Sequence, residues 1–181
     1  MSILYSPAPY HIISYGTLLG SEIFQSFIAG IVAFKALPRA QFATLQSALF
    51  PIYFAMQTAL PIALMFTFPA ESTAIGRTSS SLSGVLEPNH RMNVLVPLAV
   101  TSLTGLANAV VIGPATTKCM KDRKHQETRD GKKSYDQGPH SEAMQALNTR
   151  FAWLHGASSL VNMIGCVTTV WYGFYLGERM V

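Results

Sequence analysis

The stretch Phe151–Gly177, FAWLHGASSLVNMIGCVTTVWYGFYLG, decides the fold. No Asp, Glu, Lys or Arg interrupts these 27 residues between Arg150 and Glu178. A bilayer-crossing helix needs about 20 predominantly apolar residues, so the stretch is long enough. Its polar side chains are not scattered. At about 100° per residue, His155, Ser158, Ser159, Asn162, Cys166, Thr169 and Gly173 fall within one sector of roughly 120°. Leu160, Val161, Ile164, Val167, Trp171 and Tyr175 take the opposite face. One side suits lipid; the other suits small-residue packing and interhelical hydrogen bonds. The stretch reads as a transmembrane helix with a polar seam turned into a bundle.

Working outward, three more segments are poor in charge, and the spans fall at about 10–34, 42–68, 92–112 and 153–176. Pro7 and Pro9 precede the first and suit a helix start. Its only charge, Glu22, shares a face with Gln25, Ser26 and Ala29. Gly16 and Gly20, and Ser26 and Gly30, have the spacing that lets helices approach closely. The turn KALPRAQ (35–41) makes a hairpin with the second span, which carries no charge from Gln41 to Ala70. Pro51 and Pro61 are expected to kink that span, and Gln46 and Gln57 stand nearly in phase on it. Residues 69–91 are rich in Ser, Gly and Pro and read as a solvent loop, whose serine run offers a modification site only weakly. In the third span Asn93, Pro97, Thr101, Thr104 and Asn108 share a face. After Gly113-Pro114 the charged stretch is helix-compatible to about Arg129, breaks at Asp130-Gly131 and stays polar to Pro139. A new helix is predicted near Ser141, with Met144, Leu147, Phe151 and Leu154 at 3–4 spacing, running into the fourth span. The fold class is therefore all-α: a four-transmembrane-helix membrane bundle. It is a single membrane domain over 1–181, with cytoplasmic helical extensions between helices 3 and 4 and a basic loop at about 115–150.

Composition agrees. The chain is 49% hydrophobic and 12% charged, where a soluble domain is about 25% charged. A net charge of +4 would suggest nucleic acid in a soluble protein. Here ten of the Lys and Arg residues fall beside the 35–41 turn and the third loop, and only Arg77, Arg91 and Arg179 on the other side. The positive-inside rule accounts for that distribution, so no nucleic-acid partner is expected. It places loops 35–41 and 113–152 in the cytoplasm and both termini on the opposite side. The N-terminus lacks the basic region and cleavage site of a signal peptide, so the first span is expected to stay. Cys119 and Cys166 fall at different depths, so no disulfide is expected.

LPRAQFATLQSALFPIYF (Leu37–Phe54), GPATTK (Gly113–Lys118) and LHGASSLVN (Leu154–Asn162) resemble the transmembrane protein 205-like family. The resemblance implies a small four-span membrane protein. Animal relatives are associated with resistance to platinum drugs, and export of the drug has been proposed for them. Matching positions include Pro38, Arg39, Gln46, Pro51, Tyr53, Pro114, Thr116, His155, Gly156, Ser158, Ser159 and Asn162. The resemblance supplies no catalytic residues. This chain departs from it at Glu22, where some relatives carry a neutral polar residue. The soft donors in its spans are Cys166, Met163, Met56 and Met65, without paired Cys.

Glu22 is the sharpest single residue. A carboxylate mid-bilayer costs about 2.5–3.5 kcal/mol on insertion scales, so it must face the bundle. Its functional meaning would be proton or cation coupling; its structural meaning would be a neutral acid bonded to a neighbouring helix. At about 1.5 Å per residue from the basic ends, Gln46, Asn108, Ser159, Asn162 and Gln25 fall within the inner half of the membrane. With Glu22, and His155 at the mouth, they form a candidate intramembrane polar cluster: a binding vestibule, or interhelical glue. Lys118, Lys121, Arg123 and Lys124 are candidate lipid-surface contacts for anionic headgroups. No nucleophile–base spacing, phosphate loop or metal motif occurs, so neither an enzyme, a cofactor nor a metal is expected. Two functions remain. One is transport or small-molecule export, which four helices would support better as a homo-oligomer. The other is a non-transporting adaptor or organiser that contacts anionic lipid or a partner protein through the 115–150 hairpin.

Overall fold

Ser6 starts the first helix: its hydroxyl accepts from the Ala8 N–H at 3.4 Å, and Pro7 follows where a missing N–H leaves no bond unmade. The computed structural model describes residues 5–69, 72–73, 76–77 and 80–179. Its long helices are α1 (Pro7–Ala36), α2 (Arg39–Phe66), α4 (Arg91–Asp130) and α5 (Glu142–Glu178), all long and apolar enough to cross a membrane. The protein is a multi-pass membrane protein with a four-helix transmembrane bundle. A short helix, α3 (Ser81–Val85), lies between α2 and α4. Before it, β1 (Ser72–Thr73) pairs antiparallel with β2 (Gly76–Arg77), adding a small ribbon to what the sequence presents as plain loop. Thr78 and Ser79 of the serine run lie outside the described residues.

α4 ends at Asp130, where Gly131 takes a left-handed φ of +62°. Ser141 then caps α5, its hydroxyl accepting from the Met144 N–H at 3.2 Å. α4 has 40 residues and α5 has 37. At about 1.5 Å per residue these are roughly 60 Å and 55 Å, against about 30 Å of hydrocarbon, so both continue past the membrane. Beyond it they pair as an arm, with Cys119 and Met144 fully buried between them.

The apolar core lies at the end of the bundle away from the arm. Leu18 of α1, Leu64 and Phe68 at the end of α2, Val94 and Leu98 of α4 and Tyr172 of α5 are all fully buried there. The outward faces are apolar too: Phe27 and Ile31 on α1, Ile52 on α2, Leu103 and Val110 on α4, and Leu160, Val167 and Trp171 on α5 stay exposed. Where no water must be kept out, that is the expected lipid surface.

The close helix approaches are not where the glycine spacing of α1 places them. Cβ atoms added at Gly16 or Gly20 would meet nothing within 4 Å. The tight contacts fall at Gly105 of α4 and at Gly165 and Gly173 of α5. Spacing shows that a helix can offer a flat face; which face meets a neighbour depends on how the helix is rotated in the bundle.

Candidate functional site

Glu22, Leu18 and His11 form the buried stripe of α1. Glu22 is fully buried, and its Oε1 accepts from Gln57 Nε2 of α2 at 2.9 Å. The same Gln57 nitrogen donates to Asn162 Oδ1 of α5 at 3.2 Å. That oxygen also accepts from the Tyr53 hydroxyl at 2.6 Å, and Asn162 Nδ2 donates to Ser26 Oγ at 2.8 Å. One connected network thus ties α1, α2 and α5 together. α4 closes over it where α5 has no side chain: a Cβ on Gly165 would lie 2.6 Å from Thr104 Oγ1 and 2.9 Å from Gln57 Nε2.

Local backbone features surround the network. Directly after Glu22, α1 widens into a π turn, Phe24–Ala29, that carries Gln25 and Ser26. Pro61 in α2 lacks the N–H that would otherwise reach the Gln57 carbonyl. One residue on, the Thr58 carbonyl accepts from Ser102 Oγ of α4 at 2.9 Å, which anchors the proline region to its neighbour.

The sequence-derived cluster separates into parts. Glu22 and Asn162 are in the network. Gln25 and Gln46 pair with each other at 3.2 Å, joining α1 to α2. Asn108 is fully buried and donates to the Ser158 carbonyl at 3.3 Å. His155 and Ser159 are not brought in: both are exposed on α5, and His155 lies parallel to the Phe151 ring with centroids 5.9 Å apart. Of the basic residues, Lys118, Lys121 and Lys124 are exposed. Arg123 differs, because its Nε donates to Asn148 Oδ1 at 2.9 Å and its guanidinium sits 4.4 Å over Phe151. It holds the arm together instead of presenting a free charge.

Gln57, Tyr53 and Ser26 are the network residues that the candidate cluster omits. Gln57 is in phase with Gln46 on α2, which is the signal that could have placed it there. A second polar group was also missed. His11 is 1% exposed, with Nε2 2.6 Å from the Tyr172 hydroxyl and Nδ1 3.1 Å from Thr67 Oγ1. Thr67 gives its proton to the Ala63 carbonyl at 2.8 Å, so its oxygen accepts from His11 Nδ1–H. His11 Nε2 is then the acceptor for Tyr172. The seven- and four-residue steps from His11 to Leu18 to Glu22 are the helical signal that marked it.

The unfilled bonding capacity is concentrated. Glu22 Oε2, Gln57 Oε1 and Asn108 Oδ1 are buried without a hydrogen-bond partner. Neither ion pair among the described residues involves Glu22.

Residues 13–125, which include Glu22, Gln57 and Asn108, match the family model described as "Domain of unknown function (DUF4149)". The chain belongs to the DUF4149 family. The DUF4149 match stops before α5, so Asn162 and Gly165 come from outside it. Similarity to a relative does cover α5: "Xanthocillin biosynthesis cluster protein D" of Aspergillus fumigatus is 32% identical over 173 residues, 96% of this chain and 90% of the relative. No solved structure matches the chain.

Proposed function

We propose that this protein acts in transport or export across its membrane, with Glu22 as the ionisable group that couples solute movement to helix packing. One observation carries the reading: a fully buried carboxylate sits where α1, α2 and α5 meet, bonded to an amide and in no ion pair among the described residues. A glutamine there would make the same hydrogen bonds without the cost of an ionisable group in the bilayer. A titratable side chain at such a position is a functional-site hypothesis by default. The resemblance to the transmembrane protein 205-like family, whose animal members are linked to drug export, supports it. So does a relative whose name places it in a biosynthesis cluster. The protein is read as no enzyme. The arm and the 35–41 turn are placed on the cytoplasmic side, and transport through four helices favours assembly of copies.

The test pairs two measurements on Glu22→Gln: thermal stability in detergent, and an uptake or resistance assay in cells. A variant that melts at or above the wild-type temperature, inserts normally and has lost activity is the expected result. A folded variant with full activity removes the coupling role.

The exposed lysines favour a second reading. Lys118, Lys121 and Lys124 point outward from an arm that extends beyond the bundle, which suits an organiser on anionic lipid at about 1 kcal/mol per charge near the surface. On this reading, replacing these three with Gln in the full protein lowers its binding to phosphatidylserine vesicles, more at low salt. Unchanged binding, or equal binding to phosphatidylcholine vesicles, sinks it. Arg123 stays in place in that variant because it braces the arm.

A further inference from the structure

We propose that Glu22 and Gln57 form a proton-binding site, in which one proton carried on Glu22 Oε2 is donated to Gln57 Oε1 and closes a two-bond acid–amide ring between α1 and α2. This deepens the coupling reading above by naming the coupled species as the proton.

The argument is a count of donors and acceptors. Gln57 Nε2 has two hydrogens and spends both, on Glu22 Oε1 and on Asn162 Oδ1. Reversing the amide would put an oxygen against each of these oxygens, so its orientation is determined. The Tyr53 hydroxyl is spent on Asn162. Two acceptors then remain on these two bonded side chains, Glu22 Oε2 and Gln57 Oε1, both buried and unpartnered. Leaving a buried acceptor unmade carries the full desolvation penalty of that group. A single proton answers both. Bulk hydronium gives it to the carboxylate and leaves water; the resulting O–H then donates to the amide oxygen opposite. The ring has one O–H···O and one N–H···O bond, and the second is already present at 2.9 Å.

A metal cation would fit these atoms poorly. Hard cations take six or more oxygen ligands. Here two oxygens are free, and Asn162 Oδ1 already accepts two hydrogen bonds. Among the described residues, nothing titratable nearby supplies positive charge instead. Tyr15 on α1, Tyr53 on α2 and Cys166 on α5 are the titratable groups that sense Glu22. The α4 span from Met92 to Ile112 has none. The Thr169 hydroxyl also lies beside the carboxyl, 3.2 Å from Thr101 Oγ1, and can donate to it; such a bond would still leave Gln57 Oε1 without a donor, which the acid proton supplies.

The ring gives the proton a mechanical consequence. Without it, a carboxylate oxygen faces an amide oxygen inside the bundle and the α1–α2 contact turns repulsive. α1 is the least buried of the four spans, so it is the helix that this contact releases.

Infrared difference spectra of the purified protein, wild type minus Glu22→Gln, test the assignment at neutral pH in detergent. The expected result is a protonated-carboxyl C=O band in the wild type, insensitive to replacing potassium by sodium, that moves to higher frequency in Gln57→Leu as the ring bond is lost. A carboxylate pair of bands in place of the acid band overturns the proposal. So does a wild-type spectrum or melting temperature that depends on sodium and loses that dependence in Glu22→Gln, because a cation then bridges the two oxygens. If Gln57→Leu fails to fold, the Glu22→Gln difference alone decides. An acid band together with a fully active Glu22→Gln leaves the proton site standing and removes the coupling reading.

Discussion

A Cβ added at Gly105 would stand 2.9 Å from the backbone carbon of Gln57 and the backbone nitrogen of Thr58. Backbone cannot rotate away, so relief requires α2 and α4 to part at the level of the network. Gly105→Ala is therefore expected to destabilise the bundle by about 1–3 kcal/mol, the usual range for overpacking. Gly16→Ala is the matched control: it meets open space, and its stability should be unchanged or slightly higher. Melting of both variants in detergent checks the pair, and equal losses would refute the contact. These residues also show the limit of reading side chains from sequence. Glu22 and Asn162 were legible because a polar group on an apolar helix has to face inward. Gln57 was legible only as a phase relation on α2, since its role depends on which groups α1 and α5 bring to it. His155 and Ser159 share the polar sector of α5 with Cys166 and Thr169, yet the sector is buried only further along the helix, at Cys166 and Thr169, and is exposed nearer the arm.

At the scale of elements, most boundaries were written in local chemistry: Pro7 after Ser6, Pro38 between α1 and α2, Gly131 after Asp130, and Ser141 before α5. The π turns were not. Pro114 lacks the N–H that would bond the Val110 carbonyl, yet α4 runs through it. The helix accommodates this by widening over Asn108–Ile112, with the Gly113 N–H reaching the Asn108 carbonyl. Only glycine fits at 113, since a Cβ there would lie 2.6 Å from that oxygen. The arm has its own lock. Glu127 Oε1 accepts from the backbone N–H and the hydroxyl of Ser134, and its Oε2 lies 3.7 Å from Lys133 Nζ. Burial alone raises the Glu127 carboxyl, but the Ser134 bonds and the Lys133 and Arg123 charges outweigh it and hold the group below its ordinary 4.5. Because the folded value is the lower one, the lock is fully present above the unfolded value and is lost as pH falls through the folded value. Hydrogen exchange at the Ser134 amide, corrected for its intrinsic pH dependence, should lose protection on acidification below about 4.5 in the wild type. Glu127→Gln should keep weaker protection that does not vary over that range. A wild-type profile as flat as the variant's would show that the carboxylate is not the lock.

At the scale of the whole molecule, two long helices and two shorter ones share one bundle, and the excess length of α4 and α5 all emerges at one end. That end collects ten of the thirteen Lys and Arg residues once the 35–41 turn is counted with it. A membrane protein pays for each Lys or Arg carried across, so the positive-inside rule makes the expected orientation the one with the arm in the cytoplasm. The orientation has a geometric corollary. The segment between α2 and α4 and the segment between α4 and α5 are separated by one crossing helix, so they belong on opposite sides. Ser80 and Gln137 are exposed residues of these two segments, and neither side chain is part of the network. Gln137 is a better probe than Ser134, whose hydroxyl is bonded to Glu127. Single cysteines at Ser80 and Gln137, in a background with Cys119 and Cys166 replaced by Ala, should react with a membrane-impermeant maleimide from opposite faces of sealed cells. The Gln137→Cys site should label only after the membrane is permeabilised and the Ser80→Cys site before it. The reverse order would keep four crossings and invert the charge argument. Labelling of both from one face would mean that α4 does not cross the membrane, and the four-span bundle would fall with it.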